Sequence, residues 1–185
     1  MTDVDPTVKI IMSDAEIATA LDSLATAICG AHFGEDTIYL LGILSRGRPL
    51  ADRIAQRIES ISGTAPRVGS LATTLYRDDI RSGKVTPKLG GSETHFDFDV
   101  DGNSIVLVDD VLNSGRTVRA ALDEVMDYGR PSRIQLACLI DRGLREVPIQ
   151  ADYLGMSIQT LGSDHVQVKL EELDGEDSVV LTQSQ

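Results

Sequence analysis

The stretch Ile105-Val106-Leu107-Val108-Asp109-Asp110-Val111-Leu112-Asn113-Ser114-Gly115-Arg116-Thr117 decides the fold. Four apolar residues run into two adjacent carboxylates. A small, hydroxyl-rich turn containing one glycine follows. Apolar residues then recur at helical spacing in Val118, Ala121, Leu122, Val125 and Met126. The apolar run predicts a buried parallel strand, and the segment after Thr117 predicts an amphipathic helix.

A strand, a turn and a helix N-terminus together make an anion site. Backbone N–H groups without intrahelical acceptors point outward there, and the helix dipole favours negative charge. The two carboxylates fall at the strand's C-terminal end, where open α/β sheets bind ligands. Carboxylates accept hydrogen bonds from a diol or hold a hard cation such as Mg²⁺. A phosphorylated ribose needs both functions a few ångströms apart. The generic strand–acid–turn–helix pattern is common in α/β proteins, many of which bind nothing there. The full string is more specific.

The chain has 185 residues, enough for a single domain with a sizeable core. Its 42% apolar content is ordinary for a soluble protein. No apolar window approaches a transmembrane span, so no membrane association is expected. The start, Met1-Thr2-Asp3-Val4-Asp5, lacks a signal-peptide pattern, which leaves a cytoplasmic location as the default. Cys29 and Cys138 sit in apolar contexts and read as buried free thiols. The three histidines are far apart, and His95 and His165 read as surface residues. A formal net charge of −12 opposes loose, charge-driven binding to nucleic acid.

Along the chain, residues 1–12 read as a lead-in. Ser13 and Glu16 form a capping-box pattern that starts a helix to about Gly30. Residues 37–44 predict a strand, and 45–49 a turn before a helix carrying Leu50, Ile54 and Ile58. A second strand is predicted over 67–76. Residues 77–95 are polar and basic, with Arg77, Arg81, Lys84 and Lys88, and predict a long functional loop. Phe96-Asp97-Phe98-Asp99-Val100 alternates, and Asp101-Gly102 has the composition of a hairpin turn. The motif strand and its helix to Tyr128 follow, then a strand over 134–140 and short strands at 166–170 and 179–181. This order predicts an α/β fold, a mostly parallel central sheet flanked by helices. A small β-rich cap over the strand ends completes the expectation.

The motif resembles the phosphoribosyl-pyrophosphate (PRPP) motif of type I phosphoribosyltransferases. Further segments narrow the resemblance. Gly42-Ile43-Leu44-Ser45-Arg46-Gly47-Arg48-Pro49 is similar to a pyrophosphate loop, usually with Thr where Ser45 stands. Thr74-Leu75-Tyr76-Arg77-Asp78-Asp79, Leu139-Ile140-Asp141-Arg142-Gly143 and Ala151-Asp152-Tyr153 extend it. Over residues 13–181 the chain resembles the bifunctional pyrimidine-operon attenuator and uracil phosphoribosyltransferase family. The fold that this implies is the type I phosphoribosyltransferase fold, with a hood or base-pocket segment at about 144–165 and a flexible loop at about 77–95.

The resemblance implies that uracil and PRPP give UMP and pyrophosphate, with Mg²⁺ bound mainly by PRPP. Asp109 and Asp110 would bind the ribose diol and support the metal. Residues Val106 to Thr117 would form the PRPP site, with Asn113, Ser114, Gly115, Arg116 and Thr117 around the 5′-phosphate. Ser45, Arg46 and Gly47 would hold pyrophosphate in a loop that often carries a cis peptide. Arg77 would close over the diphosphate and is placed with Asp109 and Asp110 as catalytic. Asp141 and Arg142 would form the base pocket, though Arg142 also reads as an ion-pair partner of Asp141 or Asp110. Members of this family form homodimers or higher homo-oligomers.

Family members also bind leader RNA, and here the match thins. Thr26 stands where a His is usual, Asp22 where a Thr or basic residue is usual, and Leu144 where a His is usual. Gln150 replaces an Arg and Met156 a Lys. These losses, in a chain at −12, argue against RNA binding of the family kind. Asn113 stands where Tyr is common, and Ser114 replaces Thr. Two alternatives stay open: a UMP-sensing, RNA-binding attenuator with little catalysis, and a phosphoribosyltransferase for another base.

Overall fold

Period-two and period-3.6 apolar patterns separate the chain into two sheets and three long helices. The computed structural model describes residues 7–73 and 94–183. In chain order the elements are β1 (Thr7–Met12), α1 (Asp14–Ala31), β2 (Tyr39–Ile43), α2 (Gly47–Ser62), β3 (Arg67–Leu71) and β4 (Ser104–Leu112). Then come α3 (Arg116–Tyr128), β5 (Arg133–Asp141), β6 (Tyr153–Ser157), β7 (His165–Lys169), the short α4 (Glu171–Asp174) and β8 (Ser178–Gln183).

The main sheet is parallel, in the order β3-β2-β4-β5-β6. Its central strand, β4, is covered on both faces. Val106 and Val108 face α1 and α2, among Leu21, Leu24, Ile28, Leu50, Ile54 and Ile58. Ile105 and Leu107 face α3, among Val118, Ala121 and Val125. Two-sided burial is why this strand reads as a continuous apolar run rather than an alternating one. Helix α1 starts on a complete capping box. The Ser13 N–H donates to Glu16 Oε2 at 2.8 Å, and the Glu16 N–H donates to Ser13 Oγ at 3.4 Å. None of the helices is long and apolar enough to cross a membrane, among the described residues.

The second sheet is antiparallel, β1-β8-β7. It sets Val166, Val168, Val179 and Met12 against the α1/α2 core, and covers the ends of the parallel strands as a hood. Arg53 ties α2 to it, donating to Asp177 at 2.5 and 2.9 Å and to Glu172 at 2.7 and 2.8 Å.

Several expectations are corrected. The lead-in contains a strand, β1. It sits at the hood's edge with mostly exposed side chains, so its burial leaves little trace in the sequence. The hood is built from 7–12 and 165–183, not 144–165; β6 within that span joins the main sheet, where it bonds to β5. The alternating residues 96–100 form no strand. Beyond a single bridge of His95 to Ser70, the rings of Phe96 and Phe98 stack on each other and on Tyr128 and Tyr39, with centroids 4.9–5.1 Å apart. Asp101-Gly102 makes no hairpin. Gly102, at φ 71°, turns the chain into a strand with parallel neighbours. The predicted strand over 67–76 ends at Leu71. Residues 45–49 are not all turn, because α2 already includes Gly47, Arg48 and Pro49. The long loop carrying Arg77, Arg81, Lys84 and Lys88 lies outside the described residues up to residue 93.

Candidate active site

Strand β4 continues past its carboxylates. Val111 and Leu112 still pair with Ile140 and Asp141 of β5, so Asp109 and Asp110 lie within the strand, near its C-terminal end. Asp109 is 6% exposed, and its Oδ1 accepts the N–H of Asp110 at 2.9 Å. Leu112 leads into Asn113-Ser114-Gly115, and α3 begins at Arg116. Gly115 takes φ 87° there, a left-handed conformation that a side chain would strain.

The pyrophosphate-loop segment lies beside it. Leu44–Ser45 is a cis peptide. Helix α2 starts immediately afterwards, so close to β4 that a Cβ on Gly47 would overlap the Val108 carbonyl oxygen. The Arg46 guanidinium reaches to the hood. Its Nε donates to the Val168 carbonyl at 2.5 Å, and Nη2 to the Asp174 carboxylate at 2.9 and 3.2 Å.

Both helix starts open on one cavity of about 570 Å³. Ser45 and Arg46 line it from α2, Gly115, Thr117 and Val118 from α3, and Asp109 to Ser114 from β4 and its turn. The hood closes it with residues 162–168. Neither α2 nor α3 has a side-chain cap, and neither has an acidic residue in its first turn. Helix α1, away from the cavity, has both. The Arg116 N–H donates to Ser114 Oγ at 3.3 Å, and no first-turn carboxylate offsets the positive end of either helix.

The residues read from the sequence separate into groups. Val106, Leu107 and Val108 are at most 1% exposed and belong to the sheet core. Arg116 lies outside the main cavity and donates through Nε to Glu146 at 2.6 Å. Arg142 lines the cavity, but its guanidinium donates to Thr160 Oγ1 at 3.0 Å and to the carbonyls of Leu161 and Asp164 at 3.0 and 2.9 Å. Burial lowers its pKa from the usual arginine value. The ion-pair partner of Asp141 is Arg145, at 2.5 Å, rather than Arg142. Buried Cys138 pairs with Asp109 across the sheet, and burial together with the carboxylates of Asp109, Asp110 and Asp141 pushes its thiol well above the usual range. Arg77 lies outside the described residues.

The sequence reading missed Ser163, His165, Gln167 and Val168 as cavity residues. They sit on a hood more than fifty positions from the motif strand, and no local spacing links the two.

The comparisons agree with this geometry. The phosphoribosyl transferase domain model matches residues 8–174. Bifunctional protein PyrR of Chloroflexus aurantiacus is 50% identical over 173 residues, 94% of each chain. Bifunctional protein PyrR of Clostridioides difficile is 46% identical over 171 residues, 92% of this chain and 96% of the relative. The hypoxanthine phosphoribosyltransferase of Trypanosoma cruzi superposes with a TM-score of 0.72 at 16% identity, covering 96% of this chain and 97% of the other, a likeness of fold alone. With its parallel sheet, its hood and two uncapped helix starts around one cavity, the chain belongs to the phosphoribosyl transferase domain family and, within it, to the bifunctional PyrR proteins.

Proposed function

We propose that this chain transfers a phosphoribosyl group from PRPP to uracil, giving UMP and pyrophosphate. The observation that carries this reading is the pair of uncapped helix N-termini facing one cavity with a carboxylate pair beside them. PRPP has two anionic ends joined by a diol-bearing ring, and that is the pattern the cavity complements. The turn Asn113 to Thr117 takes the 5′-phosphate. Ser45, Arg46 and Gly47 take the diphosphate, with the charge of Arg46 held near it by Asp174. Asp109 and Asp110 accept the ribose hydroxyls. Arg77 belongs to the same reading as the cation that closes on the diphosphate. Asp141 and Arg142 belong to the base side, where Arg142 acts by fixing the 160–164 loop.

In the reaction the N1 nitrogen of uracil forms a bond to C1 of the ribose. The C1–O bond to pyrophosphate breaks, the electron pair leaves with pyrophosphate, and the N1 proton is lost. The protein's part is to align the reactants, exclude water and offset charge growing on the leaving group. Hard carboxylate oxygens fit Mg²⁺. In this reading the cation arrives with the substrate's phosphates, and Asp109 and Asp110 support it. Bound in that way, Mg²⁺ neutralises diphosphate charge.

The test is nucleotide formation from PRPP, Mg²⁺ and a panel of uracil, hypoxanthine, guanine, xanthine, adenine and orotate. UMP that disappears in Asp109→Asn and Asp110→Asn supports the reading. Product from another base overturns the choice of uracil.

That the relatives are bifunctional proteins favours a regulatory second reading, in which UMP binding licenses contact with leader RNA. The surface side chains weigh against it. Asp22 is paired with Arg57 at 2.6 Å, and Thr26 Oγ1 donates to the Asp22 carbonyl within its own helix. A gel-shift titration with pyrimidine leader RNA, with and without UMP, decides it; no shift at any concentration is expected.

A further inference from the structure

The segment that follows Asp141 packs against the 113–117 turn; its Arg145 and Glu146 line not the main cavity but an adjoining one, which shares Asn113 and Ser114 with it. Gly143 and Leu144 take φ of 79° and 47°, two successive left-handed residues that fold the chain back under the turn. Arg145 then spends its guanidinium on that turn and its surroundings. Nη1 donates to the carbonyls of Asn113 at 2.8 Å, Gly143 at 2.6 Å and Leu112 at 3.4 Å. Nε donates to the Ile149 carbonyl at 2.8 Å, and Nη2 to Asp141 Oδ2 at 2.5 Å. The N–H groups of Glu146 and Val147 donate to the Ser114 carbonyl at 3.0 and 3.2 Å.

Three consecutive carbonyls, those of Leu112, Asn113 and Ser114, are therefore drawn to one side by one segment. In a planar trans peptide the N–H points opposite to the C=O. The N–H groups of Asn113, Ser114 and Gly115 belong to these same three peptides, so they are turned away from Arg145, and all three residues line the main cavity.

We infer that Arg145 is a positioning residue for the 5′-phosphate: it grips the turn's carbonyls from below and so aims the N–H groups above. The inference rests on the phosphoribosyl reading of the site. Arginine suits the task because its planar fork serves several carbonyls and a carboxylate at once, which a lysine ammonium does not.

The experiment uses the full chain and its Arg145→Gln and Arg145→Lys variants. It reads KM for PRPP, KM for uracil, kcat, and the dissociation constant of ribose 5-phosphate by calorimetry. In Arg145→Gln, KM for PRPP and the ribose 5-phosphate constant rise by about tenfold, the size set by leaving turn carbonyls without their charged donor. KM for uracil, whose side of the site includes the Asp141 that Arg145 also holds, rises less than KM for PRPP. Arg145→Lys, which keeps the charge and loses the fork, falls between. Arg53→Gln removes another multiply bonded guanidinium, with ion pairs to Glu172 and Asp177, away from the turn. It lowers the melting temperature and leaves KM for PRPP as it was. If both Arg145 variants keep the original ribose 5-phosphate affinity, or lose only kcat, the positioning role is overturned while the phosphoribosyl reading stands. If the unaltered chain binds neither PRPP nor ribose 5-phosphate, both are overturned.

Discussion

Replacing Gly47 with alanine tests the close approach of α2 to the central strand. The added methyl would overlap the Val108 carbonyl oxygen and come within 3.2 Å of the Gly42 carbonyl carbon. Both obstacles are backbone, so neither can rotate aside; the helix start must move away from β4. Overpacking of this kind costs about 1–3 kcal/mol. Alanine's better helix propensity returns up to about 1 kcal/mol. With the full return, the net loss of up to about 2 kcal/mol lowers Tm by up to roughly 8 °C for a chain of this size. Gly30→Ala is the matched control. It lies in α1, and its Cβ would meet nothing within 4 Å. There the propensity gain stands alone, and Tm rises by roughly 1–4 °C. Differential scanning calorimetry of the three proteins reads both signs. The same displacement moves Ser45 and Arg46, so Gly47→Ala also raises KM for PRPP while Gly30→Ala does not. A Gly47→Ala protein that melts at or above the unaltered chain refutes the argument from contact.

Three further outcomes are expected. Ser13→Ala removes half of the capping box and costs about 1 kcal/mol, read as a lower urea midpoint with an unchanged m-value. Arg53 holds Asp177 and Glu172 below the usual carboxylate range, chiefly by hydrogen bonding. Their folded pKa values lie below the unfolded ones, so this stabilisation is present above the ordinary values of 3.8 and 4.5 and is lost as pH falls through the folded values. Tm should decline below that window, and less steeply in Arg53→Gln; parallel curves would remove the pair from the explanation. Cys138, fully buried with its thiol pushed well up, should resist Ellman's reagent in the native protein, and both cysteines should react in guanidinium chloride. Rapid native labelling of Cys138 would contradict its burial.

Elements whose burial is encoded locally were legible. The four apolar residues before Asp109 are buried on both faces, so their strand needed no context. The Ser13/Glu16 box marks α1 within its own four residues. What escaped depends on distant partners. β1 presents most of its side chains to solvent and is held by β8, so it carried no periodic signal. The alternation of Phe96 and Phe98 is real, but it serves a stack of rings and not a ladder. The same limit applies to the site. The turn at 113–117 announced itself by composition, whereas the donors that set its carbonyls lie some thirty residues on. Arg142 and Arg145 are three positions apart and alike in type, yet one anchors the 160–164 loop and the other the 113–117 turn.

The pairing of β1 with β8 bears on the order in which the protein is made. Thr7–Met12 is made long before Ser178–Gln183, its only sheet partner among the described residues. At elongation rates of about 5–20 residues per second, β1 waits on the order of ten seconds with its edge unsatisfied. The parallel sheet can assemble in that interval, since β2 to β6 are complete by Ser157. The hood closes afterwards. A nascent chain thus has its 113–117 turn before it has the roof of the cavity, and β1 carries an open strand edge through that interval.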